Sequence, residues 1–418
     1  MFTFLHTADI HLDSPLVGLS QKENAPVELL RGATRTALER LVDLALERAV
    51  DFVLVAGDLY DGDWKDYGTG LFFVGQMRRL EAAGIPVYLI FGNHDAESTT
   101  TKSLSLPANV HVFPTRKPES VDHPGLPVTV HGQGFASPAV TENLAARYPA
   151  PVSARFNIGL LHTNLGDRAG HGNYAPSTVP QLVARGYDYW ALGHSHQRET
   201  HHERPHVVYP GNLQGRHINE TGAKGCLLVA VDDALEVSGT EFCAVDSVRW
   251  QRLAIDCSEM QSEPELYDAV RDTLEEAVQM AEDRLLAVRL VFGGASRLHE
   301  IVHADQSRIL AECVSQAAGI GSDCIWIQGL ELKTRTLLDP EDLAKRDDLT
   351  ALVLESLASF DPGVVPAPVK TLEGKLPDKA KQGLAACLRP ESDAERESIR
   401  EDVAAIVLQA IAASGSPD

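Results

Sequence analysis

Short apolar runs alternate with amphipathic stretches in the first part of the chain, up to about residue 245. The nearly all-apolar run 52–56 is typical of a strand buried on both faces, and the apolar residues over 28–49 recur at helical spacing. The predicted strands are 2–6, 52–56, 87–91, 110–113, 128–132, 156–161, 188–192, 206–209 and 226–231, and the predicted helices are 28–49 and 69–83. This alternation predicts an α/β fold with a layered sheet.

The pattern changes beyond residue 245. Strands are predicted at 248–256, 286–293 and 323–333, with helices at 263–282 and 303–318, which together indicate a compact α+β unit. A proline-containing linker at 361–368 separates a helix predicted at 341–359 from an amphipathic helix predicted at 391–412. We therefore expect three parts, with boundaries 1–245, 246–335 and 336–418.

Short polar motifs directly follow five of the predicted strands. They contain Asp9 and His11, Asp58 and Asp61, Asn93 with His94 and Asp95, His162, and His194 with His196. In open α/β sheets, ligands bind at the carboxyl ends of the strands, so we expect these side chains to meet. Carboxylate, amide and imidazole groups are the ligands of a two-metal hydrolytic centre, which can activate water for attack on phosphorus.

The spacing of these residues suggests a role for each. Asp9 and His11 lie two residues apart and face the same side of an extended segment, so both can reach one metal. Asp58 is expected to bridge two ions. The full set of predicted metal ligands is Asp9, His11, Asp58, Asn93, His162, His194 and His196. His94 and Asp95 are the predicted catalytic residues. Beside Asp95, His94 can be protonated, and it can stabilise the transition state or give a proton to the leaving oxygen. Each motif taken alone is more often an ordinary turn, and only their joint occurrence favours a metal site.

The net charge of −22 argues against strong independent binding to nucleic acid, because such proteins usually carry a basic surface. A polyanionic substrate would have to be held by the metals, by a local basic patch or by a partner protein. The six cysteines show no CxxC spacing, which fits reduced thiols. We see no signal peptide and no apolar stretch long enough for a membrane span, and therefore expect a cytoplasmic protein without membrane contact.

Together the five motifs resemble the conserved blocks of the calcineurin-like metallophosphoesterase superfamily. The resemblance implies a layered metallophosphoesterase sandwich with a second, smaller α+β cap domain and C-terminal helices. It also implies two divalent metal ions, with Mn²⁺ as the expected species.

The opening segment 4–13 is similar to SbcD-type DNA-repair exonucleases, and the stretches 171–176 and 210–217 are similar to their YhaO-like branch. This resemblance implies a Mn²⁺-dependent DNA exo/endonuclease subunit that hydrolyses phosphodiester bonds and acts with an SbcC-type coiled-coil ATPase. The part 246–335 would then cap the site and bind DNA, and 336–418 would dock the ATPase. Some nuclease relatives have a histidine where Asp61 stands, and here Asp61 is expected to orient a ligand.

Several alternatives stay open. The same site could serve a small-molecule phosphodiesterase or nucleotidase, or a protein whose main role is assembly, and a homodimer is another open alternative. His171, Asn173, Arg216 and His217 are candidate contacts to the substrate phosphate, and the competing interpretation is that they are surface-loop residues.

Overall fold

The structure of the chain is a computed structural model that describes residues 1–15, 25–61, 67–97, 105–166, 174–321 and 323–336. The predicted helices at 341–359 and 391–412 therefore lie outside the described residues, as does the linker between them. Among the residues that are described, no helix is long and apolar enough to cross a membrane.

Fifteen strands and six α-helices are formed by the described residues. The strands are β1 Phe2–Thr7, β2 Phe52–Ala56, β3 Val87–Ile90, β4 Val110–Val112, β5 Glu119–Asp122, β6 Val128–Gly132, β7 Phe156–His162, β8 Tyr189–Gly193, β9 Glu199–Glu203, β10 His206–Tyr209, β11 Gly225–Val231, β12 Val237–Ala244, β13 Val248–Asp256, β14 Leu285–Ala295 and β15 Ile325–Arg335. The helices are α1 Val27–Glu47, α2 Tyr67–Ala82, α3 Val179–Val183, α4 Glu263–Gln279, α5 His299–Ala304 and α6 Gln306–Gly321, and two short 3₁₀ helices occupy Asp95–Glu97 and Leu144–Arg147.

Two six-stranded sheets form the sandwich that the sequence predicts. The first has the strand order β12-β11-β1-β2-β3-β4, and the second has the order β5-β6-β7-β8-β10-β9. Strands β1 to β4 are parallel to one another, and β11 pairs with β1 in the antiparallel sense. In the second sheet β6, β7, β8 and β10 are parallel. The fold is thus α/β, with helices and two sheets that each contain parallel and antiparallel strand pairs.

Alternate residues of the buried strands supply two different cores. In β2, Phe52 and Leu54 pack in the apolar cluster shared with residues of the second sheet such as Ile158. Val53 and Val55 belong instead to the cluster shared with helices α1 and α2. Because successive side chains of a strand point to opposite faces, an all-apolar strand is what a layer covered on both sides requires.

The carboxyl ends of the central parallel strands carry the polar motifs. The chain passes from β1 to Asp9, from β2 to Asp58 and from β3 to Asn93. In the second sheet His162 is the last residue of β7, and His194 directly follows β8. The two sheets therefore contribute polar side chains at one end of the sandwich, where the sequence places the site.

The described residues fall into two compact units. The first contains Met1–Arg252 together with Leu274–Arg289 and Ala317–Gln328, and the second contains Leu253–Thr273, Leu290–Gln316 and the described residues from Gly329 onward. Strands β13, β14 and β15 form a three-stranded sheet in that order. The domain boundaries expected from the sequence stay a prediction.

Three strands were not predicted from the sequence, and all three lie at sheet edges. Strands β5 and β9 are the two edges of the second sheet, and β12 is one edge of the first. Strands β5 and β9 contain only exposed and half-buried residues, and β9 has the sequence Glu-Thr-His-His-Glu. In β12 one residue, Cys243, is buried, and the others are exposed or half-buried. An edge strand is covered less than a central one and often carries charged side chains, so its sequence lacks the apolar run that reveals an interior strand.

Gly159 in β7 provides a test of the packing in the second sheet. It pairs in register with Trp190, and a Cβ atom at Gly159 would lie 2.3 Å from the indole Cε3 atom. We expect Gly159→Ala to lower the free energy of unfolding by about 1–3 kcal/mol, because the buried indole has to shift. Gly75→Ala is the matched control, since nothing lies within 4 Å of the added atom and Gly75 is helical. The Gly75→Ala protein should be more stable than the unsubstituted protein by about 0.5–1 kcal/mol in the same urea titration. Equal stability of the two variants would contradict the packing described here.

Candidate metal centre

Four of the residues predicted as ligands lie in left-handed backbone conformations. The φ angles are 50° at Asp9, 46° at His11, 50° at Asp58 and 108° at His194. This region is sparsely populated by residues other than glycine and costs on the order of 1–3 kcal/mol per residue. Such backbone strain clusters at functional sites, and all four residues lie in the loops that follow β1, β2 and β8.

Two glycines in the motifs are required by close approach. Gly57 has a φ of +91°, and a Cβ atom there would lie 2.6 Å from Nδ1 of His162. A Cβ atom at Gly92 would lie 2.2 Å from Oδ1 of Asp58. The glycine that precedes each polar residue therefore makes room for another side chain of the same site.

The side chains converge in three groups, each with its ligand atoms within 4.8 Å of one another. The groups are Asp9 with His11 and His196, Asp9 with Asp58 and His162, and His11 with Asp61 and His94. Asp9 is common to the first two groups, so these two adjoin. We call Asp9 with His11 and His196 the His196 group, and Asp9 with Asp58 and His162 the His162 group.

Ring nitrogens of two histidines face other acceptor atoms. Nε2 of His11 lies 3.1 Å from Nε2 of His196. Nδ1 of His162 lies 2.9 Å from the carbonyl oxygen of Ala56, so Nδ1 is the donor and Nε2 is directed at the amide oxygen of Asn93, 3.0 Å away. Lone pairs that converge in this way need a proton or a cation between them. The donor set of buried oxygens and imidazoles therefore fits divalent ions.

The pKa values of this cluster reflect the buried carboxylates. Burial lowers the pKa of His162, but the charge of Asp58, with its hydrogen bond, outweighs burial and raises that pKa to about 9. Burial raises the pKa of Asp9 to about 6, although His162 opposes the change. Burial lowers the pKa of His11 to about 4, which keeps it in the neutral form that binds metals.

His194 enters the site through its backbone. Its N–H group donates to both carboxylate oxygens of Asp9 at 3.0 Å. Its ring contacts the ring of His162 edge-on, with 5.2 Å between the centroids. His194 is absent from the three groups of converging ligand atoms above, and the structure brings it beside the His162 group instead.

The expected pairing of His94 with Asp95 is wrong. Nδ1 of His94 lies 2.9 Å from Asp61, and this hydrogen bond raises the pKa of His94 above its ordinary value. Asp95 is buried and accepts hydrogen bonds from the backbone N–H groups of Leu59, Tyr60 and Gly92. These three hydrogen bonds tie Asp95 to the backbone of two loops, while the described hydrogen bond of the His94 ring goes to Asp61. Oδ1 of Asp61 also lies 3.6 Å from Nδ1 of His11. This position agrees with the expectation that Asp61 orients a ligand, here His11.

A cavity of about 690 Å³ opens over these groups. Its lining includes Arg216 and His217, two of the predicted substrate contacts, together with Tyr174 and Lys224. Arg216 is held between Asp61 at 3.3 Å and Glu220 at 3.1 Å. The other two predicted contacts, His171 and Asn173, lie outside the described residues.

Sequence reasoning missed two residues of the site, Glu220 and Lys224. Glu220 is buried and accepts a hydrogen bond from Nδ1 of His196 at 2.8 Å, and Lys224 donates to the carbonyl oxygen of His196 at 2.7 Å. Burial opposes the charge of Glu220, yet hydrogen bonds from His196 and Arg216 hold its pKa well below the ordinary value. The available signal was weak: both residues follow the glycine-rich stretch 211–215 in a segment without a regular element.

Comparisons with known proteins agree with this geometry. The family model described as calcineurin-like phosphoesterase matches residues 2–198, and the model described as the middle domain of metallophosphoesterase YhaO matches residues 250–335. The chain is 39% identical over 298 residues to a protein named as uncharacterized metallophosphoesterase YhaO of Bacillus subtilis, covering 70% of this chain and 72% of that one. The chain belongs to the calcineurin-like metallophosphoesterase family.

More distant similarity connects this phosphoesterase to proteins named as DNA double-strand break repair protein Mre11. The protein of Methanopyrus kandleri is 27% identical over 235 residues, which cover 50% of this chain and 48% of that one. The protein of Aeropyrum pernix is 27% identical over 341 residues, which cover 75% of this chain and 77% of that one.

The pairing of His94 with Asp61 can be measured in the metal-free phosphoesterase. We expect the pKa of His94 in a histidine NMR titration to lie above its ordinary value, and Asp61→Asn to lower it, because the carboxylate stabilises the imidazolium form. Asp95→Asn is the control and should leave the pKa of His94 close to that of the unsubstituted protein. If Asp95→Asn instead produced the larger decrease, the sequence-based pairing would be restored.

Proposed function

We propose that this phosphoesterase is a Mn²⁺-dependent DNA exo/endonuclease subunit that hydrolyses phosphodiester bonds in DNA repair. The observation that carries the proposal is the pair of adjoining donor groups that share Asp9 beside a cavity of about 690 Å³. Two adjoining sets of oxygen and imidazole ligands are suited to in-line displacement at phosphorus.

In this proposal Asp9, His11 and His196 would hold one ion, and Asp9, Asp58 and His162 would hold the other with Asn93 and His194. Asp58 would also help to hold the first ion, since its Oδ2 atom lies 3.4 Å from Nε2 of His162 and 3.9 Å from Nε2 of His11. When bound, the ions polarise the phosphoryl group and activate water. Mixed oxygen and imidazole ligands suit Mn²⁺.

The residues of the chain itself supply the proton and the orientation. His94 is protonated more readily than an ordinary histidine because Asp61 accepts a hydrogen bond from its Nδ1–H group. The Nε2–H group of the same ring is then the proton donor for the leaving oxygen. The backbone N–H group of His94 donates to Oδ1 of Asp58 at 3.0 Å, which keeps the proton donor next to the ligands.

Two lines of support favour DNA as the substrate. Several relatives are named as DNA double-strand break repair proteins. Arg216 and His217 line the cavity and are suited to contact phosphates on either side of the cleaved bond. The net charge of −22 supports a requirement for a partner that adds affinity for DNA. The SbcC-type ATPase stays a prediction, because nearly all of its expected docking segment, 336–418, lies outside the described residues.

Activity should depend on metal and should distinguish forms of DNA. We expect chelation to abolish phosphodiester hydrolysis and Mn²⁺ to restore it best. Linear duplex DNA, closed circular DNA and a small phosphodiester should be compared in parallel. Cleavage of linear DNA from its ends supports the nuclease. Hydrolysis of the small phosphodiester with every DNA form intact would instead support the phosphodiesterase or nucleotidase alternative.

His94→Ala and Asp58→Asn should have different effects. Loss of a positioned acid costs about 10²–10⁴ in rate, so His94→Ala should reduce kcat by that factor and still bind two Mn²⁺ ions in a calorimetric titration. Asp58→Asn should weaken Mn²⁺ binding itself. His111→Ala is the control, because this partly exposed histidine pairs with Glu119 away from the site. Loss of metal from the His94→Ala protein would contradict the proposed role of His94 as a proton donor.

A further inference from the structure

Glu220 accepts four hydrogen bonds beside the proposed metal site. It is more than nine-tenths buried, at 6% exposure. Oε1 accepts from Nδ1 of His196 at 2.8 Å and from Nη2 of Arg216 at 3.1 Å. Oε2 accepts from Nδ2 of Asn212 at 3.0 Å and from the backbone N–H group of Arg216 at 2.7 Å. All four donors occupy positions that a carboxylate alone can satisfy at once.

The contact with Glu220 determines the tautomer of His196. An ionised carboxylate only accepts hydrogen bonds, so Nδ1 of His196 carries the proton. Nη2 of Arg216 also lies 3.3 Å from this nitrogen, but a guanidinium cannot accept, and the shorter contact to Glu220 decides the assignment. The lone pair of His196 is then on Nε2, the atom that lies 3.1 Å from Nε2 of His11 in the His196 group.

The backbone of His196 is held from the same segment of the chain. Lys224 donates from Nζ to the carbonyl oxygen of His196 at 2.7 Å, while Glu220 holds the ring. Ring and backbone are therefore fixed by two buried side chains four residues apart, which leaves the imidazole little freedom to turn.

The ring of His162 is held differently, because the carboxylate beside it, Asp58, faces Nε2 and not Nδ1. Nδ1 of His162 donates to the neutral carbonyl oxygen of Ala56 at 2.9 Å. A carboxylate partner makes an imidazole a more basic ligand than a carbonyl partner does, and it fixes the ring more firmly. The two groups therefore differ in how their histidines are supported.

We propose that Glu220 is a positioning residue for one metal position only, that of the His196 group, where it fixes the tautomer and orientation of His196 and holds Arg216 beside it. The inference rests on the proposed two-metal centre and deepens it. It implies that the two positions can be weakened separately, because the support of His162 does not include Glu220.

The test is Glu220→Gln, measured by calorimetric Mn²⁺ titration and by electron paramagnetic resonance, which separates a coupled Mn²⁺ pair from a single ion. Each oxygen of Glu220 accepts hydrogen bonds from two N–H donors. Whichever oxygen the NH₂ group of the glutamine replaces, that group would face two donors and could accept from neither. We expect affinity at one position to fall about 10–100-fold, while the other stays within a factor of about three of the unsubstituted protein. The coupled signal should give way to that of a single ion at intermediate Mn²⁺ concentration.

Glu241→Gln is the matched control. It removes the same charge from an exposed carboxylate that pairs with Arg48 on the surface of the same unit. Both Mn²⁺ affinities should be unchanged in this variant. A fall of equal size in both variants would mean that net charge, and not the contact with His196, determines the affinity, and would overturn the proposal.

Glu220→Asp and a double variant separate positioning from folding. Glu220→Asp keeps the charge but withdraws both oxygens, so it should weaken the same single position, and it serves as the probe if Glu220→Gln does not fold. In a His196→Ala background Glu220→Gln should cause no further loss at that position, since the two changes act on one contact. Additive losses, or an equal weakening of both positions, would overturn the proposal.

If the unsubstituted protein bound no pair of ions, the proposed function itself would fail. Two tightly bound ions in every variant would refute only the role of Glu220.

Discussion

The site depends on hydrogen bonds that join the strand ends of two separate sheets. The backbone N–H group of His194, after β8 of the second sheet, donates to Asp9, which follows β1 of the first. The ring of His162 at the end of β7 donates to the carbonyl oxygen of Ala56 at the end of β2. These contacts fix the distance between ligands that come from different layers. The apolar core between the sheets supplies the stability, but these few polar contacts determine how the ends meet.

The same arrangement brings buried charges close together. Asp9 and Asp58 are almost fully buried in one group, and a buried carboxylate is costly unless cations or donors compensate it. The charge of Asp58 outweighs burial and raises the pKa of His162 to about 9, which favours an imidazolium beside these carboxylates. Cations of higher charge at the same place would replace that proton. Strained backbone at Asp9, Asp58 and His194 adds to this cost, and it persists because the surrounding strands hold it.

The sequence predicted the interior strands well, because they leave strong local signals. The structure brings Asp9, His11, Asp58, His162 and His196 together, and their role as metal ligands stays a prediction. Buried strands such as β2 and β6 were predicted at their observed bounds, Phe52–Ala56 and Val128–Gly132. The edge strands β5, β9 and β12 were missed because they are only half covered. The resemblance to the phosphoesterase family was confirmed.

Contacts between distant segments could not be predicted in the same way. The adjacency of His94 and Asp95 in the sequence suggested a pair, yet backbone donors of a neighbouring loop satisfy Asp95 and leave His94 to Asp61, 33 positions earlier in the chain. Glu220 meets His196 across 24 residues. No periodicity or motif spacing encodes such a meeting, because it depends on how two loops pack at the end of the sandwich.

Arg216 connects the two halves of the proposed chemistry. Its guanidinium lies between Asp61, the partner of His94, and Glu220, the partner of His196. One cation thus fixes the carboxylate that supports the proton donor and the carboxylate that supports a ligand. Because both neighbours are anionic, much of the charge of Arg216 is already compensated before a substrate arrives. The attraction for a phosphodiester must then come mainly from bound ions. This agrees with a chain whose net charge is −22 and explains why metal, and not the basic residues of the cavity, should govern substrate binding.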